Sequence, residues 1–354
     1  MEQNLEFLIE MVARMNIENT QDVENLLRMY HASAALGTAL ELGLFWQLAE
    51  KPLETNEISR KYNIPYDRCK YWLALLRELS LLDCQGEKYA PSSLARMVIL
   101  EAYSLETWSF LAQEIREGYP TIFNLPINIT HPTSVWEAQN ITPPNYITQM
   151  KNDATRAERF TRMLYELHQS FGSRIAEQLD LTGVNRLMDL GGGSGVVSFS
   201  LLERNPNLKA VVVDIENVCA VGKKIASTTQ VSDRISYYSA DFIQDDLPSG
   251  FDMVLECDVG IYTEELFRKV WSSLTKGGKF VIVTNTNEQG AWVTHKESKP
   301  SFFWYLSVFS ESLTVPKFSL SSFNDVKTHL LNAGFHDILE QVQDDGIVIF
   351  QATK

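Results

Sequence analysis

A run of glycines near the middle of the chain is the feature whose spacing most clearly suggests chemistry. The segment LMDLGGGSG, residues 187–195, follows a strand-like apolar run and precedes a helix-like one. In that setting glycines allow a tight backbone turn and let a ligand approach with no Cβ in the way. A strand-to-helix turn without a ligand is the plainer alternative. We predict a ligand-binding loop in which Gly191 and Gly193 contact the ligand.

The spacing of these glycines separates two kinds of cofactor. A dinucleotide site has the pattern G-x-G-x-x-G and directs backbone amides and a helix dipole at a pyrophosphate. Here Val196 occupies the third glycine position, and Asp189 stands just before the loop. A carboxylate there is ill suited to a doubly anionic pyrophosphate, but it suits a cation such as a sulfonium with an amino group. The pattern therefore disfavours an NAD-dependent oxidoreductase.

Two further carboxylates follow the next two strand-like segments. Asp214 ends KAVVVD, where it can accept hydrogen bonds from both hydroxyls of a ribose. Asp241 follows ISYYSA, where it can accept from an adenine amino group while Phe242 covers the ring. Each acid alone could simply cap a strand end. Ligands of open α/β sheets lie at the carboxyl ends of the strands, so three acids at successive strand ends predict a nucleoside site.

The second half of the chain alternates short β-branched or apolar runs with helix-length segments. Such alternation predicts a parallel sheet with helices on both faces. An Asp-Gly pair at residues 345–346 predicts a hairpin before the last strand, which would then run antiparallel. The predicted strands are NRLMDL, KAVVVD, ISYYSA, FDMVLE, GKFVIVT, HDILEQVQ and IVIFQATK.

The first 105 residues instead have a helical period. Residues 31–50, HASAALGTALELGLFWQLAE, predict a single buried helix. Helix starts at Thr55 and Pro65, with two β segments flanking Gln85-Gly86, give the order of a winged helix. Residues 53–89 carry equal numbers of basic and acidic side chains, whereas a helix that reads DNA needs a basic face. We therefore favour dimerisation over DNA binding, and a winged-helix transcription factor becomes the alternative.

Composition and charge exclude several classes of protein. The chain has 354 residues, 45% of them apolar and 21% charged, which predicts a globular protein of two domains. Its 31 Lys and Arg against 45 Asp and Glu leave a net charge of −14, which disfavours nucleic acids and anionic membranes as partners. No apolar run reaches the roughly 18–20 residues of a membrane-spanning helix. The four cysteines show no metal-binding spacing. Without a secretory signal pattern, the prediction is a cytoplasmic protein with no metal site.

These motifs together resemble class I S-adenosylmethionine-dependent methyltransferases. DLGGGSG, VVVDIENV, SADF and the AGF at residues 333–335 are similar to the small-molecule O-methyltransferase family, which includes acetylserotonin, caffeate, phenazine and polyketide enzymes. ALGTALELGLF and LARM resemble the dimerisation domain of that family. The resemblance implies a homodimer with S-adenosylmethionine at the glycine loop. By motif position it also implies that Cys257 lies near the methionine moiety and that Met163 approaches the cofactor from the linker helices.

The chain departs from this family at the acid–base residues. The family's fourth strand is followed by a His-Asp pair, whose histidine removes the proton from the acceptor hydroxyl. Here those two positions hold Ile261 and Tyr262. The two supporting glutamates of the family fall near Thr284 and Leu320. Since isoleucine cannot accept a proton, the usual base is missing.

Three accounts of this departure stay open. A substitute base is one, with Asp258 one helical turn before Ile261 and Glu256 at the end of the strand. An acceptor that needs no base, such as an ionised phenol, a ring carbon or a nitrogen, is the second, since positioning alone can accelerate transfer. A fold diverted to another use of the cofactor is the third. His295 is a further candidate base, while His168 is expected to pack among the linker helices.

The run SFFWYLSVF, which contains Trp304, is compatible with a pocket for a flat aromatic acceptor or with a core or dimer contact. We predict an α/β protein: a mainly α winged-helix dimerisation domain (1–105), linker helices with pocket-lining loops (106–175) and a Rossmann-like seven-stranded domain (176–354). The predicted activity is methylation of an aromatic or heteroaromatic secondary-metabolite acceptor on oxygen. Methylation on carbon or nitrogen, or a non-methylating regulatory role, is the alternative.

Overall fold

The computed structural model describes residues 17–285, 302–316, 323–343 and 347–354. The chain divides into two compact units, Met1–Gly118 and Tyr119–Lys354. Across the described ranges, no helix is both long enough and apolar enough to span a bilayer.

The first unit is mainly helical and contains a small antiparallel sheet of strand order β1-β3-β2. The two helices and the β2–β3 hairpin predicted for a winged helix are present, which confirms that part of the sequence analysis. The elements are α1 (Thr20–Arg28), α2 (Tyr30–Glu41), α3 (Leu44–Glu50), β1 (Leu53–Glu54), α4 (Thr55–Tyr62), α5 (Tyr66–Glu78), β2 (Leu82–Gln85), β3 (Lys88–Pro91), α6 (Ser93–Ala95), a π-helical turn (Arg96–Leu100) and α7 (Leu105–Glu117).

The prediction of one helix over residues 31–50 is wrong. α2 ends at Glu41 and α3 begins at Leu44. Between them Gly43 has a φ of +67°, the left-handed conformation in which helices commonly end. The predicted burial begins only at Ala39: the buried residues of the two helices are Ala39 and Leu40 in α2 and Leu44, Phe45 and Leu48 in α3.

The second unit contains the linker helices and a seven-stranded sheet with its flanking helices. Residues 119–128 include two short helices. The elements are α8 (Tyr119–Phe123), α9 (Leu125–Asn128), α10 (Val135–Ala138), α11 (Tyr146–Asn152), α12 (Ala154–Leu167), α13 (Gln169–Gln178), β4 (Arg186–Leu190), α14 (Val196–Arg204), β5 (Lys209–Asp214), α15 (Glu216–Ala226), β6 (Ile235–Ser239), β7 (Phe251–Cys257), α16 (Glu264–Ser273), β8 (Leu274–Asn285), α17 (Phe302–Thr314), α18 (Phe323–Asn332), β9 (His336–Val342) and β10 (Ile347–Thr353).

All seven predicted strands form one sheet, in the order β6-β5-β4-β7-β8-β10-β9. Strands β4 to β8 pair in parallel, and β10 runs antiparallel to both β8 and β9. The antiparallel β9–β10 pair confirms the hairpin, although its turn, residues 344–346, lies outside the described residues. The order reverses at β4, which has β5 on one side and β7 on the other. Open α/β sheets bind their ligands at the carboxyl edge of such a reversal.

The two faces of this sheet are covered by separate apolar cores, because side chains alternate along each strand. On β7, Met253 and Leu255 enter the core that contains α13 and α14, whereas Val254 enters the core that contains α16 and α18. The same alternation determines which face of the sheet each of the last residues of β7 occupies.

Candidate active site

A cavity of about 400 Å³ opens at the carboxyl edge of β4, β5 and β7, within the usual size range of small-molecule sites. All of its lining residues belong to the second unit. The structure brings together eight residues that the sequence predicted for the site: Asp189, Gly191, Gly193, Asp214, Asp241, Phe242, Cys257 and Asp258.

The glycine loop forms one wall of this cavity. Gly191 has a φ of +70°, and a Cβ on it would lie 2.5 Å from Cγ2 of Val259. Any larger residue at this position would therefore be strained and would collide with the opposite wall. Gly193 also has a positive φ, but a Cβ there would meet no described atom within 4 Å. The loop thus leaves open space at Gly193 beside the cavity.

Asp189 lies beneath the loop and is 1% exposed. Its Oδ2 accepts a hydrogen bond from Oγ of Ser198 at 2.7 Å. Burial raises the pKa of the Asp189 carboxyl to about 6, against the smaller opposing effect of this bond. A cation in the cavity would stabilise the charged form of this group.

Asp214 joins the end of β5 to the glycine loop. Its Oδ2 accepts from the backbone N–H of Gly193 at 3.0 Å, and its Oδ1 accepts from the N–H of Ile215 at 2.8 Å. Burial raises the pKa of the Asp214 carboxyl to about 6. A carboxylate has about four acceptor positions, so the two amide bonds leave capacity for ligand hydroxyls.

Asp241 is held by a lysine that the sequence analysis did not identify. Nζ of Lys151 donates to Oδ2 of Asp241 at 2.8 Å, and this bond is the main reason that the pKa of the Asp241 carboxyl is lowered. Lys151 lies near the end of α11, where Nδ2 of Asn217 donates to the carbonyl oxygens of Met150 and Lys151. No local signal marks Lys151, because its partner is 90 residues away in the chain.

The linker helices also contribute lining residues to the cavity. Met163 is buried in α12 but does not line the cavity, whereas its neighbour Leu164 does. His168, expected to pack among these helices, also lines the cavity. Among the described lining residues none is Lys or Arg. The imidazole of His168 can donate a hydrogen bond to an anionic ligand group.

Residues Cys257–Ile261, the last residue of β7 and the turn that follows it, form another wall. Asp258 has a φ of +54° and donates its N–H to the carbonyl oxygen of Val283 at 3.1 Å. Asp258 and Ile261 both line the cavity. Burial raises the pKa of the Cys257 thiol well above its usual range, so this group stays protonated. The structure thus brings Ile261, which stands where the family has its histidine, and the carboxyl of Asp258 to the same cavity.

Two other predicted residues cannot be located at this site. His295 lies outside the described residues. Trp304 falls within α17, but its side chain is outside the described part of the chain. Both stay predictions.

Comparison with known protein families agrees with this arrangement over most of the chain. Residues 108–304 match the model of an O-methyltransferase domain, and residues 24–101 match the model of an O-methyltransferase dimerisation domain. The chain belongs to the O-methyltransferase family. It is an S-adenosylmethionine-dependent methyltransferase with the family's dimerisation domain at its N-terminal end.

Individual relatives of this methyltransferase differ in the atom that they methylate. It is 26% identical to the 3-hydroxy-5-methyl-1-naphthoate 3-O-methyltransferase of Streptomyces sahachiroi, over 70% of this chain and 72% of that protein. It is 22% identical to the N,N-dimethyltransferase OxyT of Streptomyces rimosus, over 90% of this chain and 91% of that one. The fold matches human N-acetylserotonin methyltransferase, solved in complex with SAM, with a TM-score of 0.74, 18% identity and coverage of 96% and 99%.

The cavity residues of this methyltransferase fit S-adenosylmethionine. S-adenosylmethionine carries a sulfonium, an amino group, ribose hydroxyls and an adenine, all of which carboxylates can stabilise. The cavity provides such acceptors at Asp189, Asp214 and Asp241, and open space at Gly193. The one anionic group of the cofactor, its carboxylate, needs a donor, and His168 is a lining residue that can supply one.

Proposed function

We propose that each strand-end residue holds one part of the cofactor. Asp214 accepts from the ribose hydroxyls, while Asp241 accepts from the adenine amino group beside the ring of Phe242. Asp189 stabilises the positive charge of the methionine moiety, and Cys257 packs close to the same moiety. Support comes from the common cavity that all five line. Leu164 takes the place that the resemblance assigned to its neighbour Met163, because the cavity is lined by Leu164.

The affinity for S-adenosylmethionine should depend on pH. Without ligand, the carboxyls of Asp189 and Asp214 have pKa values raised to about 6 by burial. Both are therefore largely protonated at about pH 5 and ionised at about pH 7, and a cation binds the ionised form more tightly. We expect the dissociation constant to fall about tenfold over this interval for each carboxyl that must ionise.

Calorimetric titration at the two pH values measures this change. S-adenosylhomocysteine provides the control, because it lacks the sulfonium charge and should show a smaller change. Equal pH dependence for the two ligands would contradict the role of Asp189 in binding the sulfonium.

We further propose that the enzyme transfers the methyl group to a hydroxyl of an aromatic or heteroaromatic small molecule. The observation that carries this proposal is that Asp258 and Ile261 line the cofactor cavity together. When bound, the cofactor supplies an electrophilic methyl group on sulfur. Asp258 accepts the proton of the acceptor hydroxyl, and Ile261 forms an apolar wall that excludes water beside it. His295 and Trp304 are proposed to lie on the acceptor side.

Substitution of Asp258 by Asn tests the proton acceptor. A carboxamide cannot take up a proton, and general-base catalysis is typically worth about 10²–10⁴-fold, so kcat with a phenolic acceptor should fall by about a hundredfold. Asn tolerates the positive φ of this position, so the affinity for the cofactor should be retained. The measurement is transfer of labelled methyl from S-adenosylmethionine to a panel of phenols and aromatic amines. Asp246→Asn, at an exposed site, is the control.

Methylation of nitrogen is the second candidate function. It is favoured by Ile261, since a neutral amine has a free lone pair and needs no base at that position, and by the similarity to an N,N-dimethyltransferase over 90% of the chain. The panel separates the two candidates. Transfer to amines with kcat unchanged in Asp258→Asn across the pH range would favour nitrogen and contradict the proposed base.

We propose that the enzyme acts as a homodimer. The match to a family dimerisation domain over residues 24–101 supports this assembly. Exposed apolar side chains also lie on and next to α1, where this domain begins: Val23, Leu26, Leu27, Met29 and Tyr30. Exposed apolar surface of this kind is typical of protein interfaces.

A further inference from the structure

Glu256, the penultimate residue of β7, carries a carboxyl that has no role in the cofactor binding and proton transfer proposed above. Glu256 precedes Cys257 and is 2% exposed. It pairs with Leu190 on β4 and with Ile282 on β8. Because Val254 lies two residues earlier in the core of α16 and α18, the side chain of Glu256 enters that same apolar face.

The two oxygens of this carboxyl have different surroundings. Oε1 accepts from the backbone N–H groups of Val259 at 2.7 Å and Gly260 at 3.0 Å. Oε2 is buried and has no hydrogen-bond partner among the residues that the structure describes. One oxygen of Glu256 thus binds the turn that follows the strand, while the other faces an apolar core.

These two bonds maintain an unusual turn. Asp258 and Gly260 both have a positive φ, +54° and +74°, so the chain reverses sharply between the strand and Ile261. Four of the five residues of this turn, Cys257, Asp258, Val259 and Ile261, line the cavity. Val259 is half-buried and Gly260 is exposed, but Oε1 binds both of their N–H groups at once. Removing Oε1 would therefore loosen the wall of the cavity that carries Asp258.

The charges around Glu256 favour its uncharged form. Asp258 and Asp189 both raise its pKa through their negative charge, and with burial as the largest cause the pKa reaches about 8. On α18, Nδ1 of His329 lies 2.7 Å from the carbonyl oxygen of Tyr262, so that nitrogen is engaged with the backbone. A buried carboxylate without a cation is strongly disfavoured. At neutral pH the carboxyl therefore keeps its proton.

We infer that Glu256 is a positioning residue, which holds the turn Cys257–Ile261 against the cavity through an uncharged carboxyl. This inference rests on the proposed function only for its effect on ligand binding, since the turn itself can be observed in the ligand-free protein.

Amide hydrogen exchange of the peptide spanning residues 257–262 tests this role in the wild-type protein and in the variants Glu256→Gln and Glu256→Leu. The carboxyl has its ordinary pKa once the turn opens and a raised pKa while the turn is closed. Opening of the wild-type turn should therefore become easier as the pH rises between about 4.5 and 8. We expect exchange to accelerate at least about tenfold from pH 5.5 to pH 7.5, after correction for the intrinsic effect of pH.

Two substitutions separate the role of the carboxyl as a hydrogen-bond acceptor from the role of its charge. Glu256→Gln keeps an acceptor oxygen and cannot ionise, so its turn should stay protected without the added pH dependence. Glu256→Leu removes the acceptor and should exchange about tenfold faster or more at both pH values. The affinity for S-adenosylhomocysteine should be retained in the Gln variant and weakened in the Leu variant.

Three results would overturn the inference. Wild-type protection in Glu256→Leu would show that the carboxyl does not hold the turn. Rapid exchange in Glu256→Gln would show that a charged group is required. A wild-type turn without the added pH dependence would show that the carboxyl is ionised while the turn is closed. If the wild-type protein fails to bind S-adenosylhomocysteine, the proposed function fails, while the exchange results still decide the role of Glu256.

Discussion

Replacing Asp214 by Ala should raise the dissociation constant for S-adenosylmethionine by about a hundredfold or more. Two hydrogen bonds from ribose hydroxyls to a buried carboxylate would be lost, and bonds to charged groups contribute about 1.5–3 kcal/mol each. The variant also leaves the N–H groups of Gly193 and Ile215 without their acceptor, so the glycine loop loses its link to β5. Calorimetric titration of the purified protein measures the effect.

Asp252→Ala is the matched control for this variant. Oδ2 of Asp252 likewise accepts two backbone N–H groups, from Asn185 and Arg186, each at 3.0 Å. Asp252 lies at the opposite end of β7 from Cys257, about 17 Å away along a strand of this length. The control loses two backbone hydrogen bonds as well, although at a more exposed site, and should bind the cofactor normally. Equal loss of affinity in both variants would mean that Asp214 acts through stability and not through contact with the ribose.

Replacing Gly191 by Ala should abolish measurable cofactor binding and lower the melting temperature. The new Cβ would lie 2.5 Å from Cγ2 of Val259, which forces apart the two walls formed by the glycine loop and by the turn after β7. The positive φ of this residue adds backbone strain of about 1–2 kcal/mol. Thermal unfolding and calorimetric titration measure the two effects.

Two further variants separate collision from strain. Gly183 has a φ of +78° and no described atom within 4 Å of a built Cβ, so Gly183→Ala should show the strain alone and bind the cofactor normally. In the double variant Gly191→Ala with Val259→Ala the colliding methyl is gone, and part of the affinity should return. No recovery in the double variant would mean that the strained backbone, rather than contact between the walls, prevents binding.

Much of the site could be predicted because its signals are local. A glycine reaches a positive φ because it has no Cβ, so the sequence DLGGGSG is readable without its neighbours. The strand ends at Asp189, Asp214 and Asp241 follow from apolar runs whose period is set by the strand itself. The carboxyl edge of a parallel sheet then brings these acids to one cavity, as the structure has them.

The helical contributions to the site were harder to predict. Successive residues of a helix are rotated by about 100°, so the sequence alone did not distinguish Met163 from Leu164 as the lining residue. The same limit applies to the end of α2, where one residue, Gly43, divides a segment that otherwise has continuous helical character. A shift of one position along a helix, or an unrecognised helix end, therefore changes which side chains are expected to line the cavity.

The sequence by itself determined the parallel sheet, the cofactor edge with its three acids, and the absence of a histidine at residue 261. Each depends on residues close together in the chain, where period, glycine and strand-end position have direct physical meaning. Tertiary structure alone decided that Lys151 pairs with Asp241, that His168 lines the cavity, and that Glu256 holds the turn beside Asp258. Such contacts depend on distance and burial in three dimensions, and the order of residues along the chain does not encode them directly.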